Sequence, residues 1–333
     1  MPKQWTTDEL LDAARAFQPA CVIAAAAELD IFTNLQDTPM SSLSLAAQLA
    51  SDPRATRILL DALAAMELLE RKAGLYTVPP HVAEILTEKD GRNILPALLH
   101  NANCLRRWAQ LTQVVLTGKP AERTPSINGE SADEAAFIGA MDNFSRPVAD
   151  QVVDRLQPLA FRHLLDVGGA SGTWTIAFLR AVPDAKATLF DLASVIPMAR
   201  RRLAAAAMTD RVTLAAGDYL LDDLPEGADF ALLSAIAHQN SREQNRTLFA
   251  KIRAALDPGG TLVLRDIVMD PSGTSPVTGA MFAVNMLAAT EGGRTYTFDE
   301  FSEDLTAAGF DRVTLLHHDQ WMNSLIRAEK TKD

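Results

Sequence analysis

Apolar residues recur at helical spacing through the first hundred residues, as in Leu10, Leu11, Ala14 and Phe17 and then Ala24, Ala27, Leu29 and Ile31. Long β-branched runs are missing there, so this portion is predicted to be mostly helical. Ser42 to Ala50, and a stretch opening at Asp52-Pro53 that carries Ile58, Leu59, Leu63, Met66, Leu68 and Leu69, predict two short helices with a turn between them. Leu69 to Val78 then reads apolar, polar around Gly74, and apolar again, which is a hairpin pattern. Two helices and a hairpin make a winged helix. Helical spacing continues from Asn103 to Leu159, broken by a polar, turn-rich linker at Thr117 to Glu130. Beyond Arg162 the pattern changes to short apolar strands, His163–Val167, Ala187–Phe190, Val212–Ala215, Phe230–Ser234 and Thr261–Asp266, most of them followed by a helical stretch. Such alternation implies a parallel sheet covered on both faces. The predicted fold class is therefore α/β, a doubly wound C-terminal sheet preceded by a mostly helical winged-helix domain. The expected boundaries are 1–100, a helical linker at 101–158, and 159–333.

Charge narrows the partners. Lys and Arg total 31 against 42 Asp and Glu, a formal charge of −11, which repels phosphate backbones and anionic lipid surfaces. A DNA-reading winged helix needs basic side chains on its second helix, yet that segment offers only Arg54 and Arg57 before Asp61, Glu67 and Glu70. Nucleic acid is not an expected partner, and a winged-helix regulator sensing a nucleoside is disfavoured. The Ala- and Leu-rich helical half is better explained by packing on a second copy of itself, since obligate homodimer interfaces bury ~2,000 Å² or more. Cys21 and Cys104 allow one bridge at most and lack metal-ligand spacing, so no metal is expected and a reduced, cytoplasmic setting fits. Lys3, Asp8 and Glu9 interrupt any signal-peptide pattern. The longest weakly charged run, Ala20 to Ala27, falls well short of the ~20 apolar residues of a membrane span, so no membrane partner is expected.

In an open parallel sheet, ligands sit beyond the carboxyl ends of the strands where strand order reverses. The first predicted strand ends in Asp166-Val-Gly168-Gly169-Ala170-Ser171-Gly172. Glycines let the backbone approach a ligand, while the acid can meet a cationic group on it. The turn is neither G-x-G-x-x-G nor a P-loop with its lysine. Asp191, followed by Leu192, ends the second strand ~20 residues on, the distance at which a carboxylate reaches ribose hydroxyls. Gly217-Asp218-Tyr219 comes after the third strand, where a carboxylate can accept the exocyclic amine of an adenine and Tyr219 or Leu220 can cover the ring. Ser234, at the end of the fourth strand, completes the set of expected cofactor contacts. Each acid alone is a common turn residue or helix cap; the three together with the glycines point to a nucleoside-type ligand.

Leu165 to Gly172, Phe190-Asp191-Leu192, Gly217-Asp218 and Asp257-Pro-Gly-Gly260 resemble the motif series of class I S-adenosylmethionine-dependent methyltransferases. With the winged helix ahead of them, nearly the whole chain is similar to the small-molecule O-methyltransferases that include the caffeate, hydroxyindole, phenazine and polyketide enzymes. The resemblance implies an N-terminal dimerisation domain, a Rossmann-like domain binding S-adenosylmethionine, and a pocket between them for a small aromatic acceptor of the secondary-metabolite kind. It also implies that His238, just after the fourth strand, is the general base, although Gln239 and Asn240 stand where the family has Asp-Trp or Asn-Trp. Imidazole suits that task, because a phenol becomes a good nucleophile when a base near neutral pH accepts its proton. Family carboxylates that support the base fall here on Thr295 and Ala328, so Glu291 is the candidate substitute. A weakened pair of this kind leaves open a relative that uses the bound cofactor for decarboxylation, hydroxylation or pericyclic chemistry. Phe137, Met141 and Phe144, at i, i+4 and i+7 on one helix face, match acceptor-lining positions, as does Asn323, while Trp108, Met281, Phe282 and Met286 are weaker matches. Arg265-Asp266, at the end of the fifth strand, reads as a structural ion pair.

Overall fold

The computed structural model describes residues 3–87 and 93–331. The chain forms two units, one comprising the residues up to Arg106 together with Arg123–Asn143, the other Arg107–Glu122 and everything from Phe144 onward.

In the first unit, Asp52 caps the helix Pro53–Ala65 by accepting from the Ala55 amide, and Pro53 occupies its first turn without wasting a donor. One stripe of that helix, Leu60 and Leu63, packs with Phe32, Leu35, Leu45 and Tyr76 in a closed core; burying each leucine contributes roughly 1.5–3 kcal/mol. The wing consists of β1 (Met40–Ser41), β2 (Glu70–Lys72) and β3 (Leu75–Thr77) in the order β1-β3-β2. Tyr76 ties the wing to the helix by donating its hydroxyl to Asp61 at 2.6 Å. Thr7–Arg15 and Phe17–Glu28 run on from one another, and the 22 residues from Thr7 to Glu28 are long and apolar enough, by length and composition alone, to cross a bilayer. Leu10, Leu11 and Phe17 are exposed on it.

The second unit is built on a seven-stranded sheet of β4 (His163–Val167), β5 (Lys186–Asp191), β6 (Val212–Ala216), β7 (Ala228–Ser234), β8 (Leu256–Asp266), β11 (Arg312–His317) and β12 (Ser324–Glu329), in the order β11-β12-β8-β7-β4-β5-β6. A short parallel pair, β9 (Val268–Met269) with β10 (Tyr296–Thr297), stands apart from it. From β4 to β8 the strands are parallel, and β12 joins β8 antiparallel. Leu164, Phe230, Leu232, Val263 and Leu325 face one helical layer through Trp174 and Phe178, whereas Leu165, Ala231, Leu233, Leu262 and Leu264 face Phe249, Ile252, Phe301 and Leu305 on the other side. Capping boxes start the helices of that second layer, Ser241 with Gln244 and Thr297 with Glu300. Strand order reverses at β4, whose neighbours are β5 and β7, and this opens a crevice at the carboxyl ends of the central strands.

Candidate active site

The glycine turn after β4 is fastened to the end of β5. The Gly168 amide donates to the Phe190 carbonyl at 2.8 Å, and the Ala170 amide donates to Asp191 Oδ2 at 2.7 Å. Asp191 Oδ1 also accepts from the Leu192 amide at 2.7 Å. The turn is tight enough to exclude side chains. A Cβ on Gly168, whose φ is +68°, would lie 2.7 Å from Ile236, and one on Gly169 would lie 2.6 Å from Leu189. Ala170 stands in the left-handed region at φ 47°, a conformation that costs an alanine about 1 kcal/mol. Gly172 starts the helix Thr173–Ala181. Leu192 is exposed beside Asp191.

Asp166 is buried and takes a 2.5 Å hydrogen bond from Thr175 on that helix; among the described residues no cation pairs with it. Loss of water pushes its carboxyl up to about 6 from 3.8, against the lowering effect of Thr175, with Asp191 adding a smaller push. The folded chain therefore holds a proton here that the unfolded chain has already released. Stability falls as pH rises from about 3.8 to about 6, and above that the ionised group costs roughly 3 kcal/mol. Asp166→Asn removes this slope. Denaturant unfolding at a series of pH values should show the variant gaining on the parent across that window and running parallel to it above. Burial raises the Asp191 carboxyl as well, against the two backbone amides that favour its charged form.

After β6, Asp218 Oδ1 accepts from the Leu220 amide, and Asp222 accepts from the Asp218 amide, both at 2.8 Å. Lys251 fixes the same loop by donating to the carbonyls of Tyr219, Leu220 and Asp222. Gly217 lies directly over the Phe190 ring. Tyr219 is half-buried, and its hydroxyl is pushed up to about 12, chiefly by desolvation.

His238 sits on a short 3-10 turn after β7, with its ring buried. Its Nδ1 lies 2.8 Å from Asp266 Oδ1, its amide donates to Oδ2 of the same carboxylate at 3.3 Å, and the Phe282 ring meets its own edge-on at 4.8 Å. Asp266 thus holds the ring from two directions. The expected pairing of Arg265 with Asp266 is corrected: successive strand residues point to opposite faces, so Asp266 goes to His238 while Arg265 turns the other way. Glu291 is exposed and makes no hydrogen bond to His238 among the described residues. Thr295 is buried beside a pocket of about 510 Å³ that Met269, Ala283 and Arg294 also line. Ala328 is wholly buried within β12.

Arg265 is only 4% exposed. Its guanidinium stacks 4.4 Å from the Trp174 ring centroid, donates through Nε and Nη2 to Asn323 Oδ1 at 3.1 and 2.7 Å, and donates through Nη1 to Ser234 Oγ at 3.1 Å. Both oxygens are neutral. Asn323 is thereby engaged by an arginine through its carbonyl.

A family model described as the O-methyltransferase domain matches residues 108–311, and a second, the O-methyltransferase dimerisation domain, matches residues 11–89. The chain belongs to the O-methyltransferase family. It is 33% identical over 313 residues to the tetracenomycin polyketide synthesis 8-O-methyl transferase of Streptomyces glaucescens, covering 92% of this chain and 91% of that one. It is 31% identical over 312 residues to the 3-hydroxy-5-methyl-1-naphthoate 3-O-methyltransferase of Streptomyces sahachiroi, covering 91% and 89%. The structure of human N-acetylserotonin methyltransferase in complex with SAM superposes with a TM-score of 0.81 at 22% identity, covering 99% of this chain and 100% of that one, so the fold is shared over the whole length.

As an O-methyltransferase, this chain depends on S-adenosylmethionine, and the crevice suits such a ligand. Gly168 and Gly169 leave no room for side chains at the turn, Asp191 and Asp218 present carboxylates at successive strand ends, and the buried side chains of Asp166 and Arg265 form no ion pair among the described residues. The exposed helical stretch near the N-terminus falls largely within the dimerisation match, where apolar surface is what a second copy covers. Of the acceptor candidates, Phe137 meets the ring of His100 at 5.3 Å, Phe144 is half exposed, and Trp108 donates to Asn285 on the helix that carries Met281, Phe282 and Met286. Sequence reasoning missed Asp266 and Arg265 as site residues. The signal available was their place at the carboxyl end of a strand, combined with the two-residue period.

Proposed function

We propose that this methyltransferase methylates a hydroxyl of a small aromatic, secondary-metabolite-type acceptor, with His238 as the general base. The observation that carries this reading is the 2.8 Å contact between His238 Nδ1 and the buried Asp266 carboxylate. With Nδ1–H donated to Asp266, the lone pair is on Nε2, which has no protein partner among the described residues. Nε2 takes the acceptor's proton, and Asp266 stabilises the imidazolium that forms. Phe282 keeps the ring from rotating. When bound, S-adenosylmethionine supplies an electrophilic sulfonium methyl. Asp191 binds the ribose, Asp218 the adenine amine, and Leu192, Tyr219 and Leu220 enclose the ring, while Gly168, Gly169, Gly172 and Gly217 let the backbone close in. Phe137, Met141, Phe144 and Asn323 are proposed acceptor contacts, and residues 1–100, 101–158 and 159–333 the functional divisions for dimerisation, acceptor contacts and cofactor binding.

The non-methylating alternative draws on Thr295 and Ala328, which stand where the family resemblance implies carboxylates that support the base. Asp266 offers a carboxylate from another strand, which favours transfer. Incubation with methyl-labelled cofactor and a panel of hydroxylated naphthoates and phenols tests this reading: labelled ether is expected, and cofactor binding without labelled product from any of them would return the alternative. Asp266 acts here as a positioning residue. Asp266→Asn should lower kcat by about 10- to 100-fold with KM for both substrates unchanged, and Asp266→Glu should restore part of it. Equal losses in the two variants, or a loss in KM alone, would reduce Asp266 to a packing role.

A further inference from the structure

We propose that Arg265 is the anchor for the α-carboxylate of S-adenosylmethionine, reached from β8 across Ser234 of the neighbouring strand. This rests on the reading that the cofactor occupies the crevice at the glycine turn. A zwitterionic amino-acid tail needs both a cation and an anion from its site. The segments that extend β4, β5, β6 and β7 around the crevice carry Asp166, Asp191 and Asp218 but no lysine or arginine. Arg265 is placed to supply the missing charge. Register sets it beside Ser234, and its long side chain leans over that strand to the Trp174 ring, in the first turn of the helix that the glycine turn starts.

The cation is left incomplete for a ligand to finish. Of an arginine's five N–H donors, three are given to the neutral oxygens of Asn323 and Ser234, leaving one on each terminal nitrogen, the pairing that a carboxylate accepts bidentately. A buried guanidinium held only by neutral acceptors is costly, and burial lowers its basicity to about 10 although Asp266 and Asp319 oppose that. Asp166 mirrors it. Lying on the same sheet face as Leu164, Leu232 and Val263, it is a buried carboxylate that no cation pairs with among the described residues. A ligand with an ammonium and a carboxylate on one carbon satisfies both at once.

Calorimetric titration of the full chain with S-adenosylmethionine and with its decarboxylated analogue tests the assignment, because the two differ only in that carboxylate. The parent should prefer the intact cofactor by about 10- to 100-fold, Arg265→Met should lose that preference by weakening only the intact compound, and Arg265→Lys should keep part of it. Thermal melting confirms that each variant is folded. Should Arg265→Met fail to fold, the parent and Arg265→Lys still decide. A parent indifferent to the carboxylate, or a variant that retains the preference, overturns the assignment. Intact cofactor affinities with a raised acceptor KM would overturn it too and give Arg265 to the acceptor. A parent that binds neither compound overturns the cofactor reading beneath it.

Discussion

Replacing His238 with alanine should lower turnover by about 10²-fold or more while leaving the dissociation constant for S-adenosylmethionine within about twofold of the parent's. The base touches the reaction through one atom, Nε2. Its other nitrogen is spoken for by Asp266, and its ring is fixed against Phe282. Water can take the place of imidazole as proton acceptor, but without the alignment that Asp266 and Phe282 give the ring. Nothing in the glycine turn, Asp191 or Asp218 hangs on this side chain, which is why cofactor affinity should survive. Single-turnover transfer of labelled methyl, alongside calorimetry, separates the two quantities. Unchanged turnover would remove the base assignment.

Asp191→Ala should act in the opposite sense, weakening cofactor binding by about 10²-fold or more. The carboxylate does two jobs. It receives the Ala170 and Leu192 amides at 2.7 Å each, and it is the proposed partner of the ribose hydroxyls. Hydrogen bonds to a charged group contribute about 1.5–3 kcal/mol apiece, and losing this one also leaves the Ala170 amide without an acceptor in a residue already held in the left-handed region. Asp191→Asn, which keeps one acceptor oxygen, should fall between parent and alanine. An alanine variant that binds as tightly as the parent would mean that the ribose is held elsewhere.

Central strands are the most legible part of the chain. His163–Val167 is readable to the residue because a parallel strand covered on both faces reads as an unbroken apolar run. β11 escapes notice for the opposite reason: it alternates between exposed and half-buried positions at the sheet's margin, so half of its residues look like loop. The acids at the ends of β4 and β5 and just beyond β6 are legible as a series because parallel strands bring their carboxyl ends to the same rim. Asp266 is not, because adjacency in sequence suggests a bond to Arg265, whereas the pleat separates them and the packing of β7 on β8 brings in a histidine 28 residues away. The long apolar surface at Thr7–Glu28 is underestimated by counting only the uninterrupted run. A helix needs one apolar face, not an uncharged sequence.

The place of β12 between β11 and β8 gives this late-synthesised strand an unusual responsibility. A ribosome that stops before Asn323, or a protease that clips there, releases a product whose β8 presents a bare row of amides and carbonyls, an invitation to stick to its own kind. That product also lacks the amide oxygen that steadies the Arg265 guanidinium. Only a chain translated through β12 both hides the sticky margin of β8 and carries the Arg265 charge in working order.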